Sequence, residues 1–433
     1  YAQVLTELAE LATAAKAMPT APRLNAEHRL ALIEGRAHFG LYAYDEAAAA
    51  FERAASLAER RHRDAPASPA LGWLGRTLLR ARDYERADAV LQAALPSTPD
   101  RGKVLCALHE VALRRGNQDR AVQVGRQALT EAQKRESRED ESEARASVAL
   151  GLLVQGNLKG ALEQLVMADE RLVATDSPAL RAEILSRTIE VDLAMGRLGQ
   201  ALYRLEVLLE LATQHPLTTR QPEAVVLLAE TMRAVGLSED AGSAALQAVA
   251  LAEAEGPVAA PIRVRAARVL CDLDRHSEAG SALTKLVDPD EGLIDDATGQ
   301  RLGVAARVTA HSERHTDRRR GAALAEQALE RPPPSIAIRA AQIRLDAAKA
   351  LIDAGDPARA KTTVKRGLKL VQGLAARGLK LDLMVALHDA QADERVAEAI
   401  LKVAARMLES LPDHARDGFR RRAGLRRVLQ ARR

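Results

Sequence analysis

One small residue recurs along this chain at intervals of about 40 residues, and it limits what the chain can fold into. An alanine fills the recurring place eight times, and a glycine fills it once. The positions are Ala47, Ala87, Ala121, Ala161, Ala201, Ala241, Ala279, Gly321 and Ala360. A side chain no larger than a methyl group at a fixed point predicts that two helices cross there in close contact. A repeat of this length indicates a solenoid of helical pairs.

Other residues keep a fixed distance from the recurring small residue. Five residues before it, a glycine is predicted to end the first helix of the pair, because glycine adopts the positive φ of a C-terminal cap. These glycines are Gly116, Gly156, Gly196, Gly236 and Gly355. Four and seven residues after the small residue, two buried positions are predicted on the second helix, beginning with Phe51 and Ala54. The turns are short enough to predict antiparallel hairpins.

The second repeat carries a resemblance to a known family. It places Leu74-Gly75, Leu78, Tyr84, Ala87, Leu91, Ala94 and Pro99 at the spacings of the 34-residue tetratricopeptide motif. The chain therefore resembles a tetratricopeptide repeat array over residues 26–410. The resemblance implies an all-α fold, a right-handed α-solenoid of about ten hairpins. The longer later repeats resemble the sensor solenoids of bacterial signalling ATPases and transcription activators.

Composition excludes the main alternatives to this fold. One tryptophan, five tyrosines and three phenylalanines are too few to fill the pleated surfaces of a sandwich or barrel. No apolar run reaches the roughly 18 residues needed to cross a bilayer, and no signal peptide is visible, so a cytoplasmic location is expected. Cys106 and Cys271 are predicted to be core residues. The net charge of +4, with both signs mixed along the chain, argues against nucleic acid as a partner.

Departures from the repeat predict three segments. Residues 1–25 form a helix and a proline-containing joint, residues 26–410 form the array, and residues 411–433 form a basic capping helix or tail. Shorter breaks are expected at 256–257, 288–292 and 331–334. None of them is long enough to be a linker between separate folds.

The sequence contains no recognisable catalytic or cofactor motif. A Walker-type phosphate loop is absent. His311 and His315 have the spacing of a zinc-binding helix, but Glu313 is not in the place that a zinc protease requires, so a polar helix end is predicted. The acidic run 288–296 lacks the glycine and glutamate of a calcium loop. No catalytic, metal or cofactor residue is predicted, and the chain is expected not to be an enzyme.

The concave groove is the candidate site, because the first helix of each pair lines it in a tetratricopeptide array. The predicted partner-binding residues are Arg36, Arg76, Glu110, Glu183, Glu190, Glu223, Glu230, Arg268 and Lys349. Charge along the groove then runs basic, acidic, basic, and the acidic centre favours a basic partner segment. The alternative is that these charges only hydrate a helix face.

The C-terminal stretch differs from the repeats. Residues 416–433 contain eight arginines and one acidic residue, Asp417. Phe419, Leu425, Val428 and Leu429 recur at helical spacing, which predicts an amphipathic capping helix. A phosphate-binding tail is the alternative, and it is the one candidate element for nucleic acid. This ending also resembles the C-terminus of large bacterial serine/threonine kinases and signalling ATPases with tetratricopeptide tails.

These features predict a non-catalytic protein-interaction scaffold, the sensor or docking region of a larger bacterial signalling protein. Its expected partner is a protein or peptide, including another domain of the same polypeptide. Residue 1 is Tyr1 rather than methionine, which favours a piece of a longer chain. One alternative is therefore the regulatory tail of a kinase or signalling ATPase whose catalytic module lies upstream. The second is a self-assembling structural adaptor.

Overall fold

The computed structural model describes residues 2–41, 43–61, 68–173, 177–215, 221–255, 259–284, 286, 296–331 and 336–430. These residues form helices and no strands, so the predicted all-α class is confirmed. The helices are α1 (Ala2–Lys16), α2 (Thr20–Gly40), α3 (Tyr44–Arg61), α4 (Ser68–Arg80), α5 (Tyr84–Ala94), α6 (Arg101–Arg114), α7 (Gln118–Lys134), α8 (Arg138–Val154), α9 (Leu158–Leu172), α10 (Pro178–Met195), α11 (Leu198–Gln214), α12 (Gln221–Val235), α13 (Ser238–Glu255), α14 (Ala260–Asp272), α15 (His276–Leu283), α16 (Asp296–Ala310), α17 (His315–Glu330), α18 (Ala337–Asp353), α19 (Pro357–Leu370), α20 (Arg377–Ala390), α21 (Glu394–Leu408), α22 (Asp413–Arg421) and α23 (Ala423–Gln430).

Helices α2 to α21 follow one another as ten pairs, in which the even-numbered helix is the first and the odd-numbered helix the second. The chain divides into two compact units, Tyr1–Gly151 (unit 1) and Leu152–Arg433 (unit 2). In unit 1, α2 packs on α3, α4 on α5 and α6 on α7. In unit 2, every pair from α10 with α11 to α20 with α21 packs in the same way, and neighbouring first helices also contact each other. The fold is the predicted α-solenoid of tetratricopeptide-like hairpins.

The recurring small residue lies where the helices of a pair cross, as predicted. All eight alanines of the series have no exposed surface. At Gly321, an added Cβ would lie 2.5 Å from the backbone nitrogen and 2.7 Å from the Cα of Ala310. The backbone of α16 therefore leaves no room for a methyl group, and this explains why glycine replaces alanine in that repeat.

The turns inside the pairs also have the predicted geometry. All five glycines that precede the small residue adopt φ values between 71° and 85°. The next residue often caps the second helix. The side chain of Asn117 accepts the N–H of Arg120, and that of Asp356 accepts the N–H of Arg359. One residue therefore ends the first helix and its neighbour starts the second.

An aromatic cluster lies in unit 1. Phe51 is fully buried and stacks on Trp73, with ring centroids 5.8 Å apart. Phe39 meets Trp73 edge-on at 5.8 Å, and Tyr44 meets Phe39 edge-on at 5.7 Å. In a chain with so few aromatic residues, four rings are thus concentrated between α2 and α4.

The C-terminal helices of unit 2 return to its first helices. α20 contacts α10, and α22 contacts α12. Gly378, at the start of α20, lies against the backbone at the end of α10, and Gly418 in α22 lies against the turn at Gly236. Gly378 and Gly418 supply the small surfaces that these backbone contacts need.

Two details of the predicted C-terminal helix are wrong. The stretch forms two helices, α22 and α23, because Arg422 leaves the helical conformation with ψ at 126°. Leu429 is exposed, whereas Phe419, Leu425 and Val428 are buried as predicted. The break at Arg422 lets these apolar side chains pack on α12, α20 and α21 together.

The first predicted joint lies partly inside a helix, and the later breaks fall largely outside the described residues. α2 begins at Thr20, so it runs through Pro22 and the predicted boundary at residue 25. The breaks at 256–257, 288–292 and 332–334 fall outside the described residues.

Among the helices described, none combines the length and the apolar character that a bilayer crossing requires.

The two cysteines are buried free thiols, as predicted. Burial raises the pKa of Cys106 to about 12 and that of Cys271 to about 11. Both thiols therefore stay protonated at neutral pH and act as small core side chains.

Candidate partner-binding surfaces

We call the sides of the first helices that carry the predicted groove residues the inner face of each unit. In unit 1, Arg36 of α2 and Arg76 of α4 converge on Trp73. Their guanidinium carbons lie 5.1 and 4.7 Å from the ring centroid. Arg36 is exposed and Arg76 is half-buried. Neither arginine is paired with an acidic side chain in the part of the chain that the structure describes.

Glu110, the third predicted residue of unit 1, already has arginine partners. Its Oε1 lies 3.2 Å from Nη1 of Arg80 and 3.5 Å from Nη2 of Arg114. Together with Arg36 and Arg76, this places four arginines and one carboxylate on neighbouring turns of the first helices. On α2, α4 and α6, the inner face of unit 1 is therefore electropositive.

In unit 2, one arginine collects three of the predicted glutamates. Nη1 of Arg265 in α14 lies 2.9 Å from Oε1 of Glu190 in α10 and 2.8 Å from Oε1 of Glu223 in α12. Its Nε and Nη2 donate to the two carboxylate oxygens of Glu230, at 2.9 and 2.6 Å. The carboxylates that were predicted to attract a basic partner thus already share a cation of the chain itself.

The two predicted basic residues of unit 2 take part in ion pairs between distant helices. Arg268 of α14 donates to Asp346 of α18 at 2.8 Å, and Lys349 of α18 donates to Asp272 of α14 at 2.7 Å. Arg307 of α16 joins both pairs, with 3.2 Å to Asp346 and 2.6 Å to Asp272. First helices that lie two repeats apart are therefore tied together across the inner face.

Asp272 extends the network to Arg422, which lies between α22 and α23. Burial raises the pKa of this carboxyl group. Lys349, Arg307 and Arg233, the last at 3.1 Å, outweigh burial and hold the pKa well below its usual range. Arg233 also lies 3.6 Å from Asp382 of α20, and Asp382 pairs with Arg422. Ion pairs thus follow the inner face of unit 2 from α10 to the start of α23.

The pKa values of two glutamates around Arg265 are shifted in opposite directions. Burial raises the pKa of Glu190, although Arg265 opposes it. For Glu230 the attraction and the hydrogen bonds of Arg265 exceed the effect of burial, so its pKa is lowered. Glu183 has a local partner instead, since its exposed carboxylate pairs at 2.5 Å with Arg187 one turn along α10. Such surface pairs contribute little to stability.

The histidines considered for metal binding have another arrangement. His311 follows α16 and His315 begins α17, so the two histidines do not share a helix. His311 stacks on His276, with ring centroids 3.6 Å apart and planes at 12°. Burial, and then the nearby His311 and Arg307, lower the pKa of His276 to about 4. In the described residues, no three metal-binding side chains are grouped to hold an ion.

Sequence reasoning missed Trp73 and Arg265, around which five of the nine predicted residues gather. A signal for each was present. Trp73 lies three residues before Arg76 and Arg265 lies three residues before Arg268, so each shares a helix face with a predicted residue.

Comparisons with known proteins find helical repeat proteins among solved structures. No protein-family model and no curated protein matches the chain. Among the similar structures is Pseudomonas aeruginosa pilF, with 21% identity, 52% of this chain and 93% of that chain covered, and a TM-score of 0.37. Another is a Rap protein complexed with competence and sporulation factor, which is 13% identical in sequence. The match covers 79% of this chain and 99% of that chain, with a TM-score of 0.48.

A third similar structure is a signal transduction ATPase with numerous domains from Pyrococcus horikoshii, which carries a tetratricopeptide repeat sensor. Its sequence is 13% identical to this chain. The match covers 88% of this chain and 54% of that chain, with a TM-score of 0.45. Tetratricopeptide repeat proteins are thus the structural neighbours of this chain.

Proposed function

We propose that this chain is a non-catalytic scaffold that binds a peptide or helix of a partner protein along the inner faces of its first helices. The observation that carries the proposal is the pair Arg36 and Arg76 at Trp73. These side chains are accessible, lie on two successive first helices, and have no acidic partner in the described residues. Stacked first helices present such positions at regular intervals, and this suits an extended or helical partner.

The two units contribute differently to this function. In unit 1 a partner meets arginines that are ready to pair. In unit 2 a basic segment reaches Glu190, Glu223 and Glu230 only by taking the place of Arg265. Removing one member of a partly buried ion pair leaves an unpaired charge, which costs a few kcal/mol. We therefore propose that the arginines of unit 1 bind a partner more readily than the glutamates of unit 2.

The proposed setting is the sensor or docking region of a larger signalling protein. A scaffold of this kind works by holding two protein segments close together, so its own chain needs no catalytic group. Sequencing the coding region ahead of Tyr1 tests this setting. A kinase or nucleotide-binding module there supports it, whereas a start codon directly before Tyr1 makes the chain a free-standing adaptor.

The binding function is tested by selecting peptides from a random display library against the full chain. The bound sites are then mapped by hydrogen exchange. We expect selected peptides to protect first helices, above all α2, α4 and α6, because these carry the accessible inner face. A library that yields no binding sequence would overturn the proposal, as would peptides that protect second helices alone.

A further inference from the structure

We infer that the segment bound by unit 1 is acidic and that Arg36, Trp73 and Arg76 form its recognition site. This inference deepens the proposed function and rests on it. It specifies the chemistry of the partner, namely side-chain carboxylates of a protein segment, and the place where they bind.

The first observation is that these two arginines differ from the other arginines of the inner faces. Arg80 pairs with Glu110, and in unit 2 Arg265 is held by three carboxylates and Arg268 by one. Arg36 and Arg76 instead share one aromatic ring with each other. Two like charges placed together repel, and a carboxylate between them relieves the repulsion.

The second observation is that the site is ordered before a ligand arrives. Phe51 stacks on Trp73 and Phe39 meets its edge, so the indole ring is fixed by the core of unit 1. The ring in turn holds both guanidinium groups by cation–π attraction. A planar guanidinium binds a carboxylate through two parallel hydrogen bonds, and a side chain that is already held loses less entropy in forming them.

The surroundings favour an acidic protein segment over a basic one or a nucleic acid. Arg80 and Arg114 exceed the single charge of Glu110, so the positive surface continues from α4 to α6. A basic segment is repelled there. Single-stranded nucleic acid binds by stacking bases on open aromatic faces, but Trp73 already stacks on Phe51 and carries two guanidinium groups.

The test uses the full chain, in which Trp73 is the single tryptophan, so its fluorescence reports on the site. The probe is a short peptide rich in Glu and Asp, with both ends blocked. Matched peptides carry Gln and Asn, or Lys, in the same places, and a short single-stranded oligonucleotide is the fourth ligand. We expect the acidic peptide to bind most tightly, and raising the salt concentration to about 0.5 M to weaken binding because the charges are exposed.

Variants locate the binding on the arginines. Replacing both Arg36→Ala and Arg76→Ala should weaken the acidic peptide at least roughly tenfold. The control is Arg60→Ala with Arg126→Ala, which removes the same charge from exposed positions on the second helices α3 and α7 and should leave affinity within about twofold. Replacing Arg36→Lys and Arg76→Lys keeps the charge and the fold but loses the planar fork, so we expect intermediate affinity.

The inference is overturned if the acidic peptide binds no better than its Gln and Asn counterpart, or if the oligonucleotide binds best. It is also overturned if the alanine and lysine double variants both bind like the control. If the Lys peptide binds best and protects first helices, the acidic partner is wrong while the proposed function stands. If no peptide of any composition binds the inner faces, both fail.

Discussion

Single residues set the distance between the helices of a pair by matching a small side chain with a large one. In the first repeat the first helix supplies Gly35 and the second helix supplies Phe51, and a Cβ on this glycine would lie 2.6 Å from the Phe51 ring. In the second repeat Gly75 and Leu91 take the same places. The match is a property of the pair and not of either helix alone.

The third repeat exchanges the two roles. Its first helix supplies His109, and its second helix supplies Gly125, where a Cβ would lie 3.1 Å from the histidine Nδ1. The same Nδ1 lies 2.7 Å from the carbonyl oxygen of Ala121. A carbonyl oxygen only accepts, so Nδ1 carries the proton and donates this bond. The larger side chain thus also donates a hydrogen bond to the backbone of the second helix at the crossing.

This matching predicts opposite outcomes for two Gly→Ala changes in unit 1. Gly35→Ala should lower the free energy of unfolding by about 1–3 kcal/mol, because Phe51 is buried under Trp73 and has no room to move. Gly102→Ala is the control, since in the described residues no atom beyond its chain neighbours and its own helix backbone lies within 4 Å of the added Cβ. It should stabilise α6 by roughly 0.5 kcal/mol. Chemical denaturation followed by circular dichroism measures both. Equal effects would contradict the matching.

A second prediction at this scale concerns pH. The pKa of His276 is about 4 in the folded chain, below the ordinary value of 6.5. Between these values the unfolded chain binds a proton that the folded chain does not, so stability falls as pH is lowered, by up to about 1.4 kcal/mol per pH unit. Urea midpoints of the parent and of His276→Gln should converge as the pH approaches 4.

The matched control for that titration is His315→Gln, because His315 is exposed at the start of α17. Its midpoints should follow those of the parent at every pH. If His276→Gln also kept the full dependence between pH 6.5 and 4, another group would be responsible.

At the scale of helices and turns, the fold could be predicted because every hairpin is local in sequence. Five of the six described glycines with positive φ occur where the repeat placed them. Four of the nine repeats lack the glycine, and in two of them Arg82 and Asp274 adopt φ values of 67° and 60° in the same place. Both turns lie five residues before the recurring alanine, Ala87 or Ala279, so the spacing of the repeat alone was enough to locate them.

The candidate site could be predicted only in part. The inner-face positions follow from the helix period, so Glu190 and Glu230 were expected on one surface. Their contact with Arg265 depends on how far each first helix is rotated against the next one. The pair of Arg268 with Asp346 depends on how many repeats make one turn of unit 2, and no local pattern contains that information.

At the scale of the whole molecule, the contacts of α20 and α22 with α10 and α12 distinguish unit 2 from an open array. An open array stacks each repeat on its neighbours alone. In unit 2 the turn at Gly236 touches Gly418, which follows it by nearly 200 residues. The C-terminal helices are therefore a structural part of unit 2.

Two glycines with the same backbone geometry test this closure. Gly355 and Gly236 have φ values of 85° and 84°, so alanine at either place costs about 1 kcal/mol from the backbone. Gly355 has open space around it, whereas a Cβ on Gly236 would overlap the carbonyl oxygen of Gly418. We expect Gly236→Ala to be the more destabilising change and to increase hydrogen exchange in α22. If the two variants exchanged alike, α22 would not depend on this contact.

The return of α22 to α12 also has a consequence for how the chain acquires its structure during synthesis. Helices α10 to α13 leave the ribosome well before the helices that cover their turns have been made. Joining such distant segments pays the entropy of closing a long loop, and contacts of this range slow folding. Early repeats of unit 2 therefore wait in an incomplete state, with their turns uncovered, until translation reaches the last helices. Unit 2 is therefore complete only after α22 has been made and has packed on α12.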